Sequence, residues 1–498
     1  MKYEEHRYFT TSLIFLFLAQ AISLLIRMGS RIIIARFSSP DIYGLYSVIW
    51  NEMTLISTIA LLGLGQQLTI NLPRENNEKK KQSILSAIIY ASIMGIVSLI
   101  ISIIFYFLKI NNSYKFSFLI SALFIIFLFI QFIFIGLRDF LGFFIQSVTQ
   151  NLSMFIIIII IREILTLDII VYVLLSSIGF SVLFSALYIL IRTKMSLQKI
   201  KQIKIKLLDF NKKRISLFLV DIINSLIFYL LLKLPQIIIG NSYAGFVNIA
   251  FSLVAFLIIP PQMIAIALGP KISEYFHNSR LDKLQNSFRM SFSILYIFQG
   301  IIVIVFTFFG DFFLELLYGN EYLVRSRIIF YGFLLAVIID SFNYQFAFYI
   351  RNTDNEKLFA IGKIISLIAF IIPEITLLFV LNDYIQAAVP VAYLISTLSL
   401  LAFYFFFTLK LNKNYEKQDL RIFLSWLAFI FINNILALVT IVFIQNLLYV
   451  LFITLGNILI FIIYLIISKT INFKILIKDL KEIFSYIKNK NGAQLFQE

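Results

Sequence analysis

The chain has 498 residues, no cysteine, two histidines and a formal net charge of +16, with 60% of its residues hydrophobic and 14% charged. A soluble domain carries roughly a quarter charged residues, so this composition, at a mean hydropathy of +0.94, excludes a water-soluble globule and implies an all-α polytopic membrane protein. Thiol and disulfide chemistry are excluded. His6 and His277 both fall in polar segments, which argues against a histidine-built metal or acid-base centre, and no GxxxxGK[ST] loop is present to hold a nucleotide. We therefore expect no cofactor and no enzymatic centre.

In chain order, apolar runs of the length needed to cross a bilayer, about 20 residues, lie near 12–34, 42–70, 82–108, 116–137, 142–161, 168–191, 215–239, 243–269, 288–309, 326–350, 358–381, 385–409, 421–444 and 446–468. They predict fourteen transmembrane helices. The first run is long and carries arginines, so a retained helix is expected rather than a cleaved signal. Positive charge orients the set, because short cytoplasmic loops collect Lys and Arg. Of the 42 basic residues, Arg36, Lys109, Lys115, Arg162, Arg325 and Arg327 fall in outer loops and Arg27, Arg31, Lys233 and Lys363 inside helices. The rest lie on the opposite side, which places both termini in the cytoplasm. The charge excess is thus accounted for by a solvated face beside anionic lipid, without nucleic acid.

The polar interruption from Arg192 to Arg214 divides the chain. Within it Ile200, Ile203, Leu207 and Phe210 recur at helical spacing among lysines, the pattern of an amphipathic helix on the membrane surface. The expected organisation is a six-helix lobe over 1–191, a cytoplasmic linker over 192–214, a second six-helix lobe over 215–409, helices 13 and 14 over 410–468 and an amphipathic cytoplasmic tail over 469–498. An internal duplication of about 200 residues supports the two lobes, as in many transporters. PDIYGLYSV at 40–48 is echoed by NSYAGFVNI at 241–249, and GLRDFLGFF at 136–144 by YIRNTDNEKLF at 349–359. The second helix of each half is expected to run unbroken and to stop near Pro73 and Pro270.

Charges inside the helices mark the candidate site. An arginine within a membrane helix costs roughly 2.5–3.5 kcal/mol on insertion scales and is retained for a function. Gln20, Ser23, Arg27 and Ser30 or Arg31 follow at steps of three and four, one polar stripe that reads as a cavity wall. Arg27 lies about 22 Å into its helix, too deep to reach an interface easily, whereas Arg31 is within snorkelling distance. The corresponding helix of the second half carries Asp221, Ser225, Tyr229, Lys233 and Gln236 at the same steps, so two stripes are expected to face each other across a cleft. Lys363, near a cytoplasmic helix end, reads as a snorkeler. Glu52, Asp340 and Glu374 are the buried acids: Glu52 is assigned to neutralise Arg27 or Arg31, and Asp340 and Asp221 are the candidates for ion coupling.

The segments IIIARFSSPDIYGLYSVI, GLRDFLGFFIQSVTQNL and FFLELLYGNEYLVRSRIIFYGFLL resemble the polysaccharide-export flippases of the multidrug/oligosaccharidyl-lipid/polysaccharide superfamily, especially the Wzx-type O-antigen flippases. The resemblance implies a MATE-like fold of two lobes around a cavity, in the bacterial inner membrane, and movement of an undecaprenyl-diphosphate-linked oligosaccharide, such as an O-antigen or capsule repeat unit, to the outer leaflet. It further implies membrane lipids and a glycan polymerase with its chain-length machinery as partners, in lipopolysaccharide or related synthesis. Guanidinium groups can grip phosphate oxygens bidentately, so Arg27, Arg31 and Lys233 are the residues to which the family's cationic cavity would correspond. Two alternatives are a cation-coupled drug exporter of the same superfamily, for which acids rather than arginines are expected on the first helix, and a membrane glycan polymerase or ligase, for which a sizeable outer loop is expected.

Overall fold

The computed structural model describes residues 21–72, 75–109, 112–137, 139–193, 212–262, 281–353, 355–381, 385–411 and 454–461, with scattered positions between 264 and 280. All regular structure among them is helical: α1 over 21–37, α2 Pro40–Leu61, α3 Leu64–Asn71, α4 Asn77–Phe107, α5 Asn112–Leu137, α6 Phe140–Ile160, α7 Leu167–Thr193, α8 Lys212–Ile238, α9 Asn241–Val254, α10 Leu281–Tyr318, α11 Asn320–Asn352, α12 Glu356–Val380 and α13 Ile385–Leu411. In hydrocarbon every backbone polar group has to be satisfied within the segment, which is why apolar runs of this length fold as helices. Ten of the helices described are long and apolar enough to cross a membrane. Pro73, Pro270, most of the linker, the tail and helices 13 and 14 apart from 454–461 lie outside the described residues.

Local chemistry sets the helix starts. Ser39 accepts from the Ile42 amide with Pro40 in the first turn, Asn76 accepts from Lys79 N, and Asp139 accepts from Gly142 N, so each caps the helix that follows. Two segments depart from the unbroken spans expected. The second predicted span breaks after α2 at Leu62 and Gly63, with φ of 47° and 70°. Its counterpart passes from α9 into a 3₁₀ turn over Ala255–Ile258. A third departure is the predicted outer loop between Gly310 and Arg325. It is helical except at Gly319 (φ 96°), because Arg327 pairs with Asp311 at 2.7 Å and Tyr331 donates to the same carboxylate, so the polar side chains are satisfied between two extended helices.

The chain forms two compact units, one of Met1–Arg280 with Gly310–Leu411 and the other of Leu281–Phe309 with Asn412–Glu498. In the second, the helical stretch 454–461 lies against α10, where a Cβ on Gly300 would meet the Phe461 ring at 2.0 Å. In the first, α4 packs on α5, α6 on α7, and α3 on α5 around Leu64, Leu68, Ile84, Phe129 and Ile133; further along the chain α11 and α12 both pack on α13, and α12 on α8. Lipid-facing apolar side chains, Ile93, Ile96 and Ile100 on α4 and Ile361, Ile368 and Ile372 on α12, remain exposed.

Within the first unit α2 packs on both α9 and α8. On one side α2 and α9 run parallel, and the glycines let the backbones touch: a Cβ on Gly44 would lie 1.8 Å from the Asn241 carbonyl oxygen, and one on Gly245 would lie 3.0 Å from that of Pro40. Above and below this crossing, Asp41 Oδ1 accepts from Ser242 N (3.1 Å) and Oγ (3.0 Å), and Asn248 Nδ2 donates to Ser47 Oγ (2.7 Å). Asp41, Gly44 and Ser47 thus each meet the residue 201 positions later in the chain. On the other side α2 and α3 run antiparallel to α8. Gln66 Nε2 donates to both oxygens of Asp221 (2.7 and 2.8 Å), Thr58 and Ser225 share a hydrogen bond of 3.0 Å, and Asn51 Nδ2 donates to the Phe228 carbonyl (2.8 Å).

Candidate functional site

The stripe on α8 therefore does not look across an open cleft at α1. It is zipped against polar residues of α2 and α3, because Asp221, Ser225 and Lys233 each find a partner there. The zip ends at an ion pair: Lys233 Nζ donates to Glu52 Oε1 at 2.9 Å, with both side chains buried. The other carboxylate oxygen accepts from Ser113 Oγ (2.7 Å) and Ser117 Oγ (2.6 Å) on α5, and the ammonium also sits 4.6 Å above the Tyr114 ring. Glu52 was expected to neutralise Arg27 or Arg31. It answers Lys233 instead, since α2 turns its polar edge toward α8 and α5 at that level. Lys233 accordingly does not snorkel. Tyr229 lies beside Tyr114 and Glu52. Gln236 donates to Asn241 Oδ1 at 2.9 Å, leaving its own Oε1 buried without a partner.

The stripe on α1 is divided between structural and free groups. Gln20 lies outside the described residues. Ser23 is buried against α6, donating to the Ser147 carbonyl (3.4 Å) and accepting from Asn151 Nδ2 (2.6 Å), so it serves helix packing rather than a cavity wall. Ser30 is fully buried and donates back to Ile26 O at 3.2 Å. Arg27 and Arg31 are half-buried. Arg31 Nη1 donates to Ser252 Oγ on α9 (2.8 Å), and its guanidinium lies 5.8 Å from the centre of the Trp50 ring. Its Nε has no partner. Arg27 has neither a hydrogen bond nor an ion pair among the described residues, which include no carboxylate paired with either arginine.

Around the two guanidiniums lies a set of groups whose roles the sequence did not disclose. Ser252 donates weakly to Asn248 Oδ1 (3.5 Å), and Asn248 donates to Tyr43 Oη (3.1 Å) as well as to Ser47, so Arg31 is tied to α2 and α9 together. Tyr43 and Tyr46 sit with ring centroids 6.0 Å apart, Tyr46 Oη is buried beside the Arg31 guanidinium, and Tyr318 Oη is buried without a hydrogen-bond partner among the described residues. Both phenols lie within electrostatic reach of Arg31. At the end of α1, Arg36, expected only as a loop residue, donates Nε to Leu317 O (2.8 Å) and Nη2 to Leu316 O, capping the C-terminal carbonyls of α10.

The acids assigned to coupling fall in two separate places. Asp221 joins Gln66, whose Oε1 accepts from Arg351 at 3.1 Å. Asp340, on α11, accepts from Tyr393 Oη (3.1 Å) and Asn343 Nδ2 (3.3 Å), and Lys363 on α12 is close enough to feel its charge.

Comparison with known proteins bears on this layer of unpaired guanidiniums. The profile of the polysaccharide biosynthesis protein family matches residues 9–276, more than half of the chain and including α1, α2, α8 and α9. The chain belongs to the polysaccharide biosynthesis protein family. Its fold is that of transporters of the MOP superfamily. A structure of the lipid II flippase MurJ in an inward closed conformation superposes with a TM-score of 0.61 at 16% identity, covering 93% of this chain and all of that one (100%). An inward-facing multidrug resistance MATE family transporter of the MOP superfamily gives 0.58 at 11% identity, covering 79% of this chain and 96% of the other. A MOP superfamily transporter from Pyrococcus furiosus, whose binding pocket is described as of reverse polarity, gives 0.56 at 12% identity over 80% of this chain and 93% of its own. No curated protein matches the chain in sequence. This member of the polysaccharide biosynthesis protein family is thus a multi-pass membrane protein whose first helix carries two arginines paired with no carboxylate among the described residues.

Proposed function

We propose that this protein is a flippase that moves an undecaprenyl-diphosphate-linked oligosaccharide from the inner to the outer leaflet of the bacterial cytoplasmic membrane, with both termini in the cytoplasm. The observation that carries the reading is the contrast between the intramembrane cations. Lys233 is matched by Glu52, while Arg27 and Arg31 meet no acid among the described residues, which leaves a site short of two negative charges. A lipid-linked diphosphate supplies them, and two guanidiniums with the Tyr46 and Tyr318 hydroxyls offer the donors its oxygens need. Neither arginine would be tolerated in the membrane for packing alone.

Two six-helix lobes, α1–α7 with α2 and α3 as one interrupted span, and α8–α13, give the reading its mechanism. The pairing of Asp41 with Ser242, Gly44 with Gly245 and Ser47 with Asn248 supports them, because a residue meeting its own repeat equivalent is the signature of a two-fold axis between duplicated halves. Such lobes expose a fixed site alternately to each side. Glycan polymerase and chain-length proteins would receive the product.

The test uses a strain deleted for the gene. Arg27→Gln combined with Arg31→Gln should reach the membrane in normal amount yet fail to restore surface glycan. Arg27→Lys should restore part of it, since a point charge attracts phosphate without bidentate geometry. Full restoration by the double variant would refute the assignment.

A further inference from the structure

One acid is used by none of the networks described. Glu374 follows Pro373 within α12 and is wholly enclosed at 0% exposure, yet neither of its carboxyl oxygens meets a hydrogen-bond partner among the described residues. Buried carboxyls are normally paired or bonded, and the other enclosed acids here obey that rule, Glu52 with Lys233 and two serines, Asp340 with Tyr393 and Asn343.

Among the described residues the surroundings supply no counter-charge. From the start of α9, Tyr243 is the titratable neighbour in electrostatic reach, and its hydroxyl is already spent on the Ile385 carbonyl at the start of α13 (2.7 Å). On α12 itself Lys363 lies eleven residues away, about 16 Å along the helix, on the side of Asp340. On α8 Lys233 is held by Glu52 and Asp221 by Gln66, while Tyr229 sits beside Tyr114; on α13 Tyr393 serves Asp340 of α11. Asp383 and Tyr384, before α13, lie outside the described residues. A metal ion needs several ligands, and among the described residues no three of His, Cys, Asp and Glu gather. A carboxyl so fully enclosed, with no cation beside it among the described residues, is stable in its neutral form.

We propose that Glu374 is a proton-binding site, filled while α12 is closed around it and emptied when the helices at that end part, and that the cation coupled to transport is the proton. The coupling half of this statement rests on the flippase reading; the binding half does not. Pro373 fits the role, because it leaves the Ala369 carbonyl without its helical donor one turn earlier and so makes α12 the easier to bend there.

Dicyclohexylcarbodiimide, an apolar reagent that adds to neutral carboxyls and leaves a stable acylurea, tests the site in native membranes with no substrate present. The full-length protein should carry the adduct on Glu374, at a rate that falls at least tenfold on passing from acid to alkaline pH and is unchanged by sodium at constant ionic strength. Glu374→Gln should abolish that adduct. Absence of label on Glu374 at every pH, or protection by sodium, would overturn the proposal. The Arg27→Gln, Arg31→Gln protein should still be labelled, whereas Glu374→Gln, expressed at normal abundance, should restore less than a tenth of the surface glycan and Glu374→Asp measurably more. Labelling with full restoration by Glu374→Gln would overturn the coupling role alone, so failure here and failure of the flippase assignment are read separately.

Discussion

Replacing Lys233 by Met keeps the volume of the side chain and removes its charge, stranding the Glu52 carboxylate among Ser113, Ser117 and apolar helix surface. Breaking one partner out of a buried pair costs about 3–5 kcal/mol because the survivor is left uncompensated. Glu52→Gln strands the ammonium instead, but the Tyr114 face 4.6 Å away offsets part of its loss, worth about 0.5–2 kcal/mol, so this change should be the milder of the two. With both replaced no charge is stranded. The double variant should therefore recover much of the loss, with a coupling of about 2–3 kcal/mol. Stability is measurable by titrating the purified proteins with sodium dodecyl sulfate in mixed micelles, read by tryptophan fluorescence from Trp50 and Trp426. Additive penalties, or a Lys233→Met protein as stable as the parent, would show that the two charges are solvated separately and would remove the contrast drawn between Lys233 and the two arginines of α1.

The parallel contact of α2 with α9 predicts that Gly44→Ala costs about 1–3 kcal/mol of overpacking, since the new methyl would meet backbone, whereas Gly179→Ala, whose nearest neighbour is Leu123 at 3.8 Å, should be neutral in the same titration. The lack of native cysteine makes orientation directly testable: single cysteines at Asn112 and Ser242 should react with an impermeant thiol reagent from outside, and ones at Asn76, Gln202 and Asn412 should not. Reversed labelling at two of these sites would refute termini in the cytoplasm.

The helices were legible because hydrophobic length alone defines a membrane span, and the predicted spans over 82–108, 116–137, 142–161, 168–191, 215–239, 288–309, 326–350, 358–381 and 385–409 each overlap a single helix. What length cannot show is where a span breaks, and the break at Leu62 and Gly63 was signalled only by the local run Leu62-Gly63-Leu64-Gly65. The site was half legible for a related reason. Helical spacing places Arg27 with Arg31, and Asp221 with Lys233, on common faces, but spacing within one helix carries no information about what stands opposite. The partner of Lys233 is 181 residues away, and its serine donors belong to a row at 113, 117 and 121 whose four-residue step was visible but whose target was not. The repeat is the instructive exception. Aligning PDIYGLYSV with NSYAGFVNI sets Asp41, Gly44 and Ser47 beside Ser242, Gly245 and Asn248 on paper, and the fold sets the same pairs in contact. Among the described residues, this matched segment therefore carried tertiary information as well as a repeat signal. The same crossing of α2 and α9 carries the Ser252 and Asn248 groups that hold Arg31, so the repeat signal and the cation stripe of the first helix, read separately in the sequence, meet at one place in the fold.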